Sequence, residues 1–228
     1  MKQKDIIIFD IDRTIYDGSI GQDFIIELIN EKIISPKILA SLSFEIIEYE
    51  LDIQNYSKTV KDILKTLNNE LLGKDLKQVQ EIAQKVIQYN HYKFYDYIFE
   101  LPSLYKEFDY VLLSLEPDFL VSEIASYLKI PFFISNNFGI KNGLISNSNK
   151  ITTNKFELFE DSNLKNRNII AAFGDSENDL GILDLAKLKL VINPTPNLLQ
   201  KISHNNNFKV INPKIATDEF KKNIINFI

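Results

Sequence analysis

The chain has 228 residues, of which 45% are hydrophobic, enough for one large domain or for one domain that carries an insertion. Its formal charge is -5, from 26 basic and 31 acidic residues, and no run of Lys or Arg stands out, which argues against nucleic acid or a membrane surface as partner. The absence of cysteine excludes disulfides, thiol nucleophiles and thiolate metal sites, and it is compatible with a reducing cytoplasm.

The first predicted element is a short strand at residues 5–9, with the sequence Asp-Ile-Ile-Ile-Phe. This run is almost entirely apolar and rich in β-branched side chains. Such a run is typical of a central parallel strand that is covered on both faces. The strand ends at Asp10, and a second carboxylate, Asp12, follows two residues later.

Apolar residues then recur at helical spacing from about residue 20 to residue 100. The predicted helices lie at 23–34, 36–51, 59–72 and 76–99, separated by breaks at Ser35-Pro36, near Asn55 and at Gly73-Lys74. This pattern predicts a helical bundle inserted after the first strand. The predicted division is therefore an α/β core at 1–18 and 102–228, and a helical insertion at 19–101.

From residue 109 onward, predicted strands and helices alternate, which favours a doubly wound parallel sheet of the Rossmann-like α/β class. The predicted strands lie at 109–114, 168–173, 189–192 and 208–211, with a hairpin at 132–146. The predicted helices lie at 118–130, 154–164, 177–186, 196–202 and 217–228.

Polar residues of four groups fall at the predicted carboxyl ends of strands or at the start of the helices that follow. In an open parallel sheet, this is the edge at which ligands bind. The groups are Asp10 with Asp12, Ser114, Lys155, and Gly174 with Asp175 and Asp179. Two carboxylates at Asp10 and Asp12 repel each other unless a cation or a shared proton relieves them, and a hard divalent cation is the obvious relief.

These residue types suit the transfer of a phosphoryl group. One carboxylate can attack phosphorus while Mg²⁺ screens the approach of two anions. A second carboxylate can give a proton to the leaving oxygen and later take one from water. A lysine and a serine hydroxyl can hold the phosphoryl oxygens as charge develops. The alternatives are structural roles: a turn for Asp10 and Asp12, a helix cap for Ser114, a surface position for Lys155 and a helix-dipole carboxylate for Asp179.

The segments at 10–14 and 174–179, together with Ser114 and Lys155 between them, resemble the four motifs of the haloacid dehalogenase (HAD) superfamily. The flanking segments at 9–18, 119–128, 139–145 and 174–186 are similar to its phosphoserine phosphatase-like branch. The similarity covers the whole chain. It implies a HAD-like core with a helical cap, and an enzyme that hydrolyses phosphate monoesters with Mg²⁺ as cofactor.

By this resemblance, Asp10 is the nucleophile and Asp12 the general acid and base. The resemblance further implies that Asp10, the backbone carbonyl of Asp12 and Asp175 bind Mg²⁺, with Asp179 supporting the metal site. The implied phosphate or substrate contacts are Ser114, Lys155 and Asn178.

The chain departs from the family pattern at two places. Arg13 stands where many members have glycine, although arginine is familiar there within this branch. Leu115 and Glu116 follow Ser114, where relatives have a small residue and no acid. A carboxylate beside a phosphate pocket lowers affinity for phosphate unless it pairs with a cation, so Glu116 leaves the substrate class open. An amino group on the substrate, Lys155 or Arg13 would be suitable partners.

The sequence therefore predicts a phosphatase that acts on a small phosphomonoester, such as phosphoserine or another amino- or polyol-phosphate, through an aspartyl phosphate. A phosphotransferase using the same residues, and a HAD-fold binding protein without turnover, are the alternatives. A glycosyltransferase with a metal-binding Asp-x-Asp is a weaker one, because it gives residues 174–179 no role.

The expected location is the cytoplasm. No apolar run approaches the roughly 18 residues of a membrane span, and the N-terminus turns acidic too early for a signal peptide. The sequence makes no prediction about oligomeric state.

Overall fold

The structure is a computed structural model that describes residues 3–43, 56–148 and 150–225. Its main strands are β1 (Ile6–Phe9), β2 (Asp109–Pro117), β3 (Phe132–Asn136), β6 (Ile169–Gly174), β7 (Leu188–Ile192) and β8 (Phe208–Ile211), with β4 (Gly139–Lys141) and β5 (Leu144–Ser146) forming a separate pair. Within the described ranges, the six main strands form one parallel sheet in the order β3-β2-β1-β6-β7-β8. The chain winds outward from β1 in both directions, so the predicted doubly wound α/β fold is confirmed.

The helices are α1 (Ile20–Asn30), α2 (38–43), α3 (Tyr56–Leu71), α4 (Leu76–Tyr89), α5 (Tyr97–Leu104), α6 (Asp118–Leu128), α7 (Lys155–Glu160), α8 (Leu180–Leu185), α9 (Pro196–Ile202) and α10 (Ala216–Ile224). Helices α1 to α5 all lie between β1 and β2 in the chain. The part of the predicted helix 36–51 beyond residue 43, the break near Asn55 and the end of the helix 217–228 lie outside the described residues.

Strand β1 is the centre of the fold, because both of its edges are paired and both of its faces are covered. It pairs in parallel with β2 and with β6. Ile7 and Phe9 belong to one buried apolar cluster, whereas Ile6 and Ile8 belong to a second cluster. The continuous apolar run that predicted this strand therefore follows from burial on two sides.

The predicted hairpin at 132–146 is only partly right. Residues 132–136 form β3, a parallel edge strand beside β2, and the hairpin consists of β4 and β5 alone. The hairpin turns at Asn142 and Gly143, which have φ of 53° and 77°. This left-handed pair fits the twist of a two-residue hairpin. The wrong assignment arose because an apolar strand can pair with either neighbour when only its composition is known.

Strand β2 is longer than the predicted 109–114, since it continues to Pro117. Ser114 therefore lies inside the strand. Its pairing with β1 ends at Leu112, and the ladder with β3 is irregular between Leu113 and Pro117. Ser114 consequently lies where the regular hydrogen-bond ladders stop.

None of the helices in the described ranges combines the length and the apolar composition needed to cross a lipid bilayer.

Candidate active site

The loops after β1 and β6 are adjacent because these two strands pair. The backbone N–H of Asp10 donates to the carbonyl oxygen of Phe173 at 3.0 Å, so the ladder continues to the first residue after β1. Asp175 directly follows β6. Both carboxylates are buried, with 5% of each residue exposed. Two residues 165 positions apart in the sequence are thus brought to one edge of the sheet.

Lys155, the first residue of α7, is buried against this pair of loops. Its Nζ donates to Asp10 Oδ1 and, at 2.6 Å, to Asp179 Oδ1. Burial alone would lower the pKa of Lys155, but the charges of Asp10 and Asp179 outweigh it and hold the pKa above its ordinary value. Lys155 is therefore a fixed cation between two carboxylates.

Asp10 has a different partner on each oxygen. Oδ1 accepts from Lys155, and Oδ2 accepts from the buried Thr14 hydroxyl at 3.0 Å. Burial raises the pKa of Asp10 to about 7, although the charge of Lys155 opposes the increase. The sequence analysis did not single out Thr14, even though it lies only four residues after Asp10 in the first motif.

The Asp12 side chain is bound by two residues at the start of α1. Its Oδ1 accepts from the Ile20 N–H at 2.8 Å, and its Oδ2 accepts from the Ser19 hydroxyl at 3.2 Å. Burial of the carboxyl raises the pKa of Asp12 to about 6, while these two hydrogen bonds limit the increase. A carboxyl with this pKa can exist in either protonation state near neutral pH, as a general acid and base requires.

Asp179 is fixed by the loop that carries Asp175. Its Oδ2 accepts from the backbone N–H groups of Asp175 and Ser176, both at 3.0 Å, and from the Ser176 hydroxyl at 3.1 Å. Gly174 permits this close approach, since a Cβ there would be 2.4 Å from Asp179 Cβ. The Asp179 carboxylate thus holds the loop of Asp175 and Ser176 in place through three hydrogen bonds.

Asp10, Asp175 and Asp179 each present a carboxylate oxygen, and these oxygens lie within 4.8 Å of one another. Burial raises the pKa of Asp175 to about 9, and the negative charges of Asp10 and Asp179 contribute to this increase. Buried carboxylates that repel one another in this way suit a hard divalent cation with oxygen ligands. The donor set therefore fits Mg²⁺. The Asp12 carboxyl is not in this group, because it bonds to Ser19 and Ile20 instead.

Arg13 lies beside the carboxylate cluster. Its φ is 58°, and its guanidinium contacts Asp175 Oδ2 at 3.2 Å and donates to the Asn193 carbonyl at 3.1 Å. The Asn193 amide donates in return to the Arg13 carbonyl at 3.0 Å. Arginine at this position therefore links the first motif to the loop after β7.

Asn178 is a predicted site residue that has no contact with Lys155 or with the carboxylate cluster in the hydrogen bonds of the described residues. It lies in the 3₁₀ turn Glu177–Asp179, and its side-chain Nδ2 is buried. This nitrogen has no hydrogen-bond partner in the part of the chain that the structure describes. The other predicted site residues either line the cavity or contact Lys155.

A cavity of about 350 Å³ opens above the cluster. Its floor carries residues from the loops after β1 and β6, from β2 and from the start of α7, namely Asp10, Asp12, Arg13, Ser114, Glu116, Lys155 and Asp175. Most of the other lining residues in the described ranges come from α1, α2 and α3. The helices between β1 and β2 therefore cover the carboxyl edge of the sheet at this point.

Glu116 brings a further carboxyl into this cavity. Its backbone N–H donates to Ser114 Oγ at 3.2 Å, and its side chain lies against Gly21 of α1. Within the described ranges, the Glu116 carboxyl accepts no hydrogen bond. Burial raises the pKa of Glu116 to about 8, and the negative charges of Asp12 and Asp10 contribute to this increase. Neither Lys155 nor Arg13 is bonded to it, so among the described residues neither of these two expected cationic partners pairs with Glu116.

Comparisons with protein-family models and with curated protein sequences give no match. Solved structures do match. A protein of unknown function from Bordetella pertussis Tohama I superposes with a TM-score of 0.71 at 13% identity, covering 92% of this chain and 100% of that one. A substrate-bound phosphoserine phosphatase gives a TM-score of 0.62 at 18% identity, covering 97% and 99%.

A HAD family hydrolase from Salmonella enterica serovar Typhi gives a TM-score of 0.63 at 19% identity, with 90% of this chain covered. This chain spans 66% of the length of that protein. The chain thus has the fold of these structures, which include a HAD family hydrolase and a phosphoserine phosphatase. At these identities the likeness establishes the fold, and the reaction has to be inferred from the site.

Proposed function

We propose that this protein is a Mg²⁺-dependent phosphomonoester hydrolase that acts on a small phosphorylated metabolite through an aspartyl-phosphate intermediate. The observation that carries the proposal is the buried contact of Lys155 with both Asp10 and Asp179, beside Asp175. A nucleophilic carboxylate, a cation for phosphoryl oxygens and a group of metal-binding carboxylates thus share one site. Capping or surface roles would not need this arrangement.

In the first step, one carboxylate oxygen of Asp10 attacks phosphorus and the bond to the ester oxygen breaks. Asp12 donates a proton to that oxygen, so that the product leaves as a neutral alcohol. In the second step, Asp12 accepts a proton from water as the water attacks the aspartyl phosphate. The products are inorganic phosphate and free Asp10.

Lys155 and Ser114 would hold the phosphoryl oxygens during both steps. Lys155 is already fixed by Asp10 and Asp179, so it needs little reorganisation to do this. We also propose that Asn178 contacts the substrate, which requires its side chain to rotate toward the cavity, since its buried Nδ2 donor has no partner among the described residues and does not line the cavity now.

Mg²⁺ would be held by Asp10, the backbone carbonyl of Asp12 and Asp175, with Asp179 supporting this arrangement. When bound, the ion supplies positive charge that offsets the repulsion between the substrate phosphate and the carboxylates. We further propose that residues 19–101 act as a cap over a core at 1–18 and 102–228, and that the cap excludes water from the site.

The test is Mg²⁺-dependent phosphate release from p-nitrophenyl phosphate and from a panel that includes phosphoserine and polyol phosphates. Asp10→Asn should abolish release, with a loss on the order of 10⁴-fold or more. Asp161→Asn is a matched control, since Asp161 pairs with Lys150 at the surface. Release that is equal in wild type and Asp10→Asn would refute the proposal.

A phosphotransferase would use the same residues but pass the phosphoryl group to an alcohol. Adding alcohols to the assay and analysing the products separates the two reactions. A binding protein without turnover is the other alternative, and the carboxyl of Glu116 in the cavity is the feature that favours it. Binding of phosphate esters without Asp10-dependent release would support that alternative.

A further inference from the structure

The part of the cavity wall that α1, α2 and α3 contribute is mainly aliphatic, with Gln22 of α1 and Thr59 of α3 as its polar members. Its apolar side chains in the described residues come from α1, α2 and α3, and they are Ile25, Leu42, Val60, Ile63, Leu64 and Leu67. The cavity is continuous from these side chains to Asp10 and Lys155. A phosphate bound at the floor would therefore place its alcohol part against hydrocarbon.

Helix α3 is amphipathic in a way that keeps its charges away from this cavity. Val60, Ile63 and Leu67 recur at the spacing of one helix face and line the cavity, whereas Lys61 and Lys65 line a separate surface groove. The apolar face of α3 thus forms part of the wall that a substrate would contact.

The charges in the cavity also disfavour an anionic alcohol part. Among the described lining residues, the cations are Arg13 and Lys155. Arg13 pairs with Asp175, and Lys155 is bound by Asp10 and Asp179. A carboxylate on the substrate would lose its hydration in this cavity and would gain no further counterion, because Arg13 is paired and Lys155 serves the phosphoryl group.

We propose that the substrate is a phosphate monoester whose alcohol part is uncharged and mainly aliphatic. The proposal rests on the phosphomonoester chemistry above and refines it, because it names the class of leaving group. The acidic floor binds the phosphate with its metal, and the aliphatic wall selects the alcohol part by burial of apolar surface. Phosphoserine, which carries a carboxylate and an ammonium group, is then a poor substrate.

The first test is binding of non-hydrolysable n-alkylphosphonates, from ethyl to hexyl, to the wild-type protein with Mg²⁺ by calorimetry. Each added methylene should tighten binding about fourfold, which is the factor for burying one CH₂ group. 2-Amino-3-phosphonopropanoate, an analogue of phosphoserine, should bind at least about tenfold more weakly than propylphosphonate. 2-Aminoethylphosphonate, compared with ethylphosphonate, tests whether Glu116 recruits an ammonium group instead.

A variant pair checks that the chain-length effect arises in this cavity. Ile63→Asn places an amide in the aliphatic wall and should reduce the gain per methylene to less than about twofold. Ile26→Asn makes the same change on α1, where Ile26 is 50% exposed and does not line the cavity. This control should keep the wild-type gain.

Equal affinity along the alkyl series, no binding of any phosphonate, or tighter binding of either amino-phosphonate than of its alkyl match would each overturn the proposal. Phosphate release from the matching alkyl phosphates is measured in parallel with Asp10→Asn. Chain-length-dependent binding without Asp10-dependent release would support the aliphatic specificity while refuting the proposed hydrolysis.

Discussion

Gly21 and Glu116 occupy adjoining space between α1 and β2: a Cβ added at Gly21 would lie 2.2 Å from Glu116 Oε1. The two residues are 95 positions apart in the sequence. Glycine at position 21 thus makes room for the Glu116 carboxyl. The contact joins a helix that follows the first motif to the strand that carries the second.

Gly21→Ala should therefore fail to give the gain of up to about 1 kcal/mol that alanine normally has over glycine in a helix, because the new methyl group must displace the Glu116 carboxyl. In the Glu116→Ala background the same change should give that gain, since the space is then free. Urea unfolding of the two single variants and the double variant gives the coupling. Single effects that add to within about 0.5 kcal/mol would contradict the contact.

The raised pKa of Glu116 should also make the stability of the protein depend on pH. Burial, with the charges of Asp12 and Asp10, raises its pKa to about 8 in the folded protein, whereas the ordinary value is 4.5. The folded state then binds the proton more tightly than the unfolded state, so this residue's contribution falls as pH rises from 4.5 to 8. The melting temperature of Glu116→Gln minus that of wild type, measured in EDTA, should increase between pH 5 and pH 8. A constant difference would show that the carboxyl is not shifted.

Lys155 should contribute strongly to stability in the absence of metal. It is the buried counterion of Asp10 and Asp179, and its removal leaves both carboxylates unpaired. Lys155→Gln should lower the free energy of unfolding by about 3–5 kcal/mol. The matched control Lys150→Gln breaks the surface pair with Asp161 and should have no measurable effect. Denaturant unfolding of both variants in EDTA compares them, and equal effects would refute a buried ion pair.

Mg²⁺ should stabilise the wild-type protein by mass action. At a Mg²⁺ concentration of 100 times Kd, the gain is about 2.7 kcal/mol. Asp175→Asn should lose most of this gain, while in EDTA it should be at least as stable as wild type because one buried carboxylate is gone. Thermal melts with and without Mg²⁺ test both statements. An equal Mg²⁺ shift in the two proteins would remove Asp175 from the metal site.

Asp12→Asn should separate the two chemical steps. p-Nitrophenolate leaves readily without a proton, so phosphorylation of Asp10 by p-nitrophenyl phosphate should continue in this variant. Turnover of an alkyl phosphate should fall about 10²–10⁴-fold, because its leaving oxygen needs the proton. Acid quenching should then trap protein-bound phosphate from p-nitrophenyl phosphate. Equal losses for both substrates would argue against Asp12 as the general acid.

The sequence predicted Asp10 and Asp175 at one site for a physical reason. In a doubly wound sheet, every strand ends at the same edge, so these residues, which follow β1 and β6, meet there. Lys155 follows no strand of this sheet, and its place at the site was predicted from its position between the other motifs. Asp179 was predictable with Asp10 and Asp175 because it lies four residues after Asp175. The fold class followed in the same way from the alternation of strands and helices after residue 109.

Other features could not be predicted because they depend on contacts between distant segments. Sequence spacing contains no information about the approach of Gly21 to Glu116. The true length of β2 depends on where its neighbours stop pairing, and β3 could be assigned to the sheet only once its partner was known. The aliphatic wall of the cavity could not be predicted, because apolar residues such as Ile63 and Leu67 have the same spacing on a helix that packs against the core as on one that lines a cavity.

The central position of β1 also governs the order in which the chain can fold during synthesis. β1 ends at residue 9, and its two partners begin at residues 109 and 169. At about 5–20 residues per second, a ribosome needs about 5–20 s to reach the first partner after making β1. Helices α1 to α5 can form from local contacts in that interval, whereas the apolar Ile-Ile-Ile-Phe strand has no edge to join. The nascent chain therefore exposes its most buried strand for longer than any other strand of the sheet.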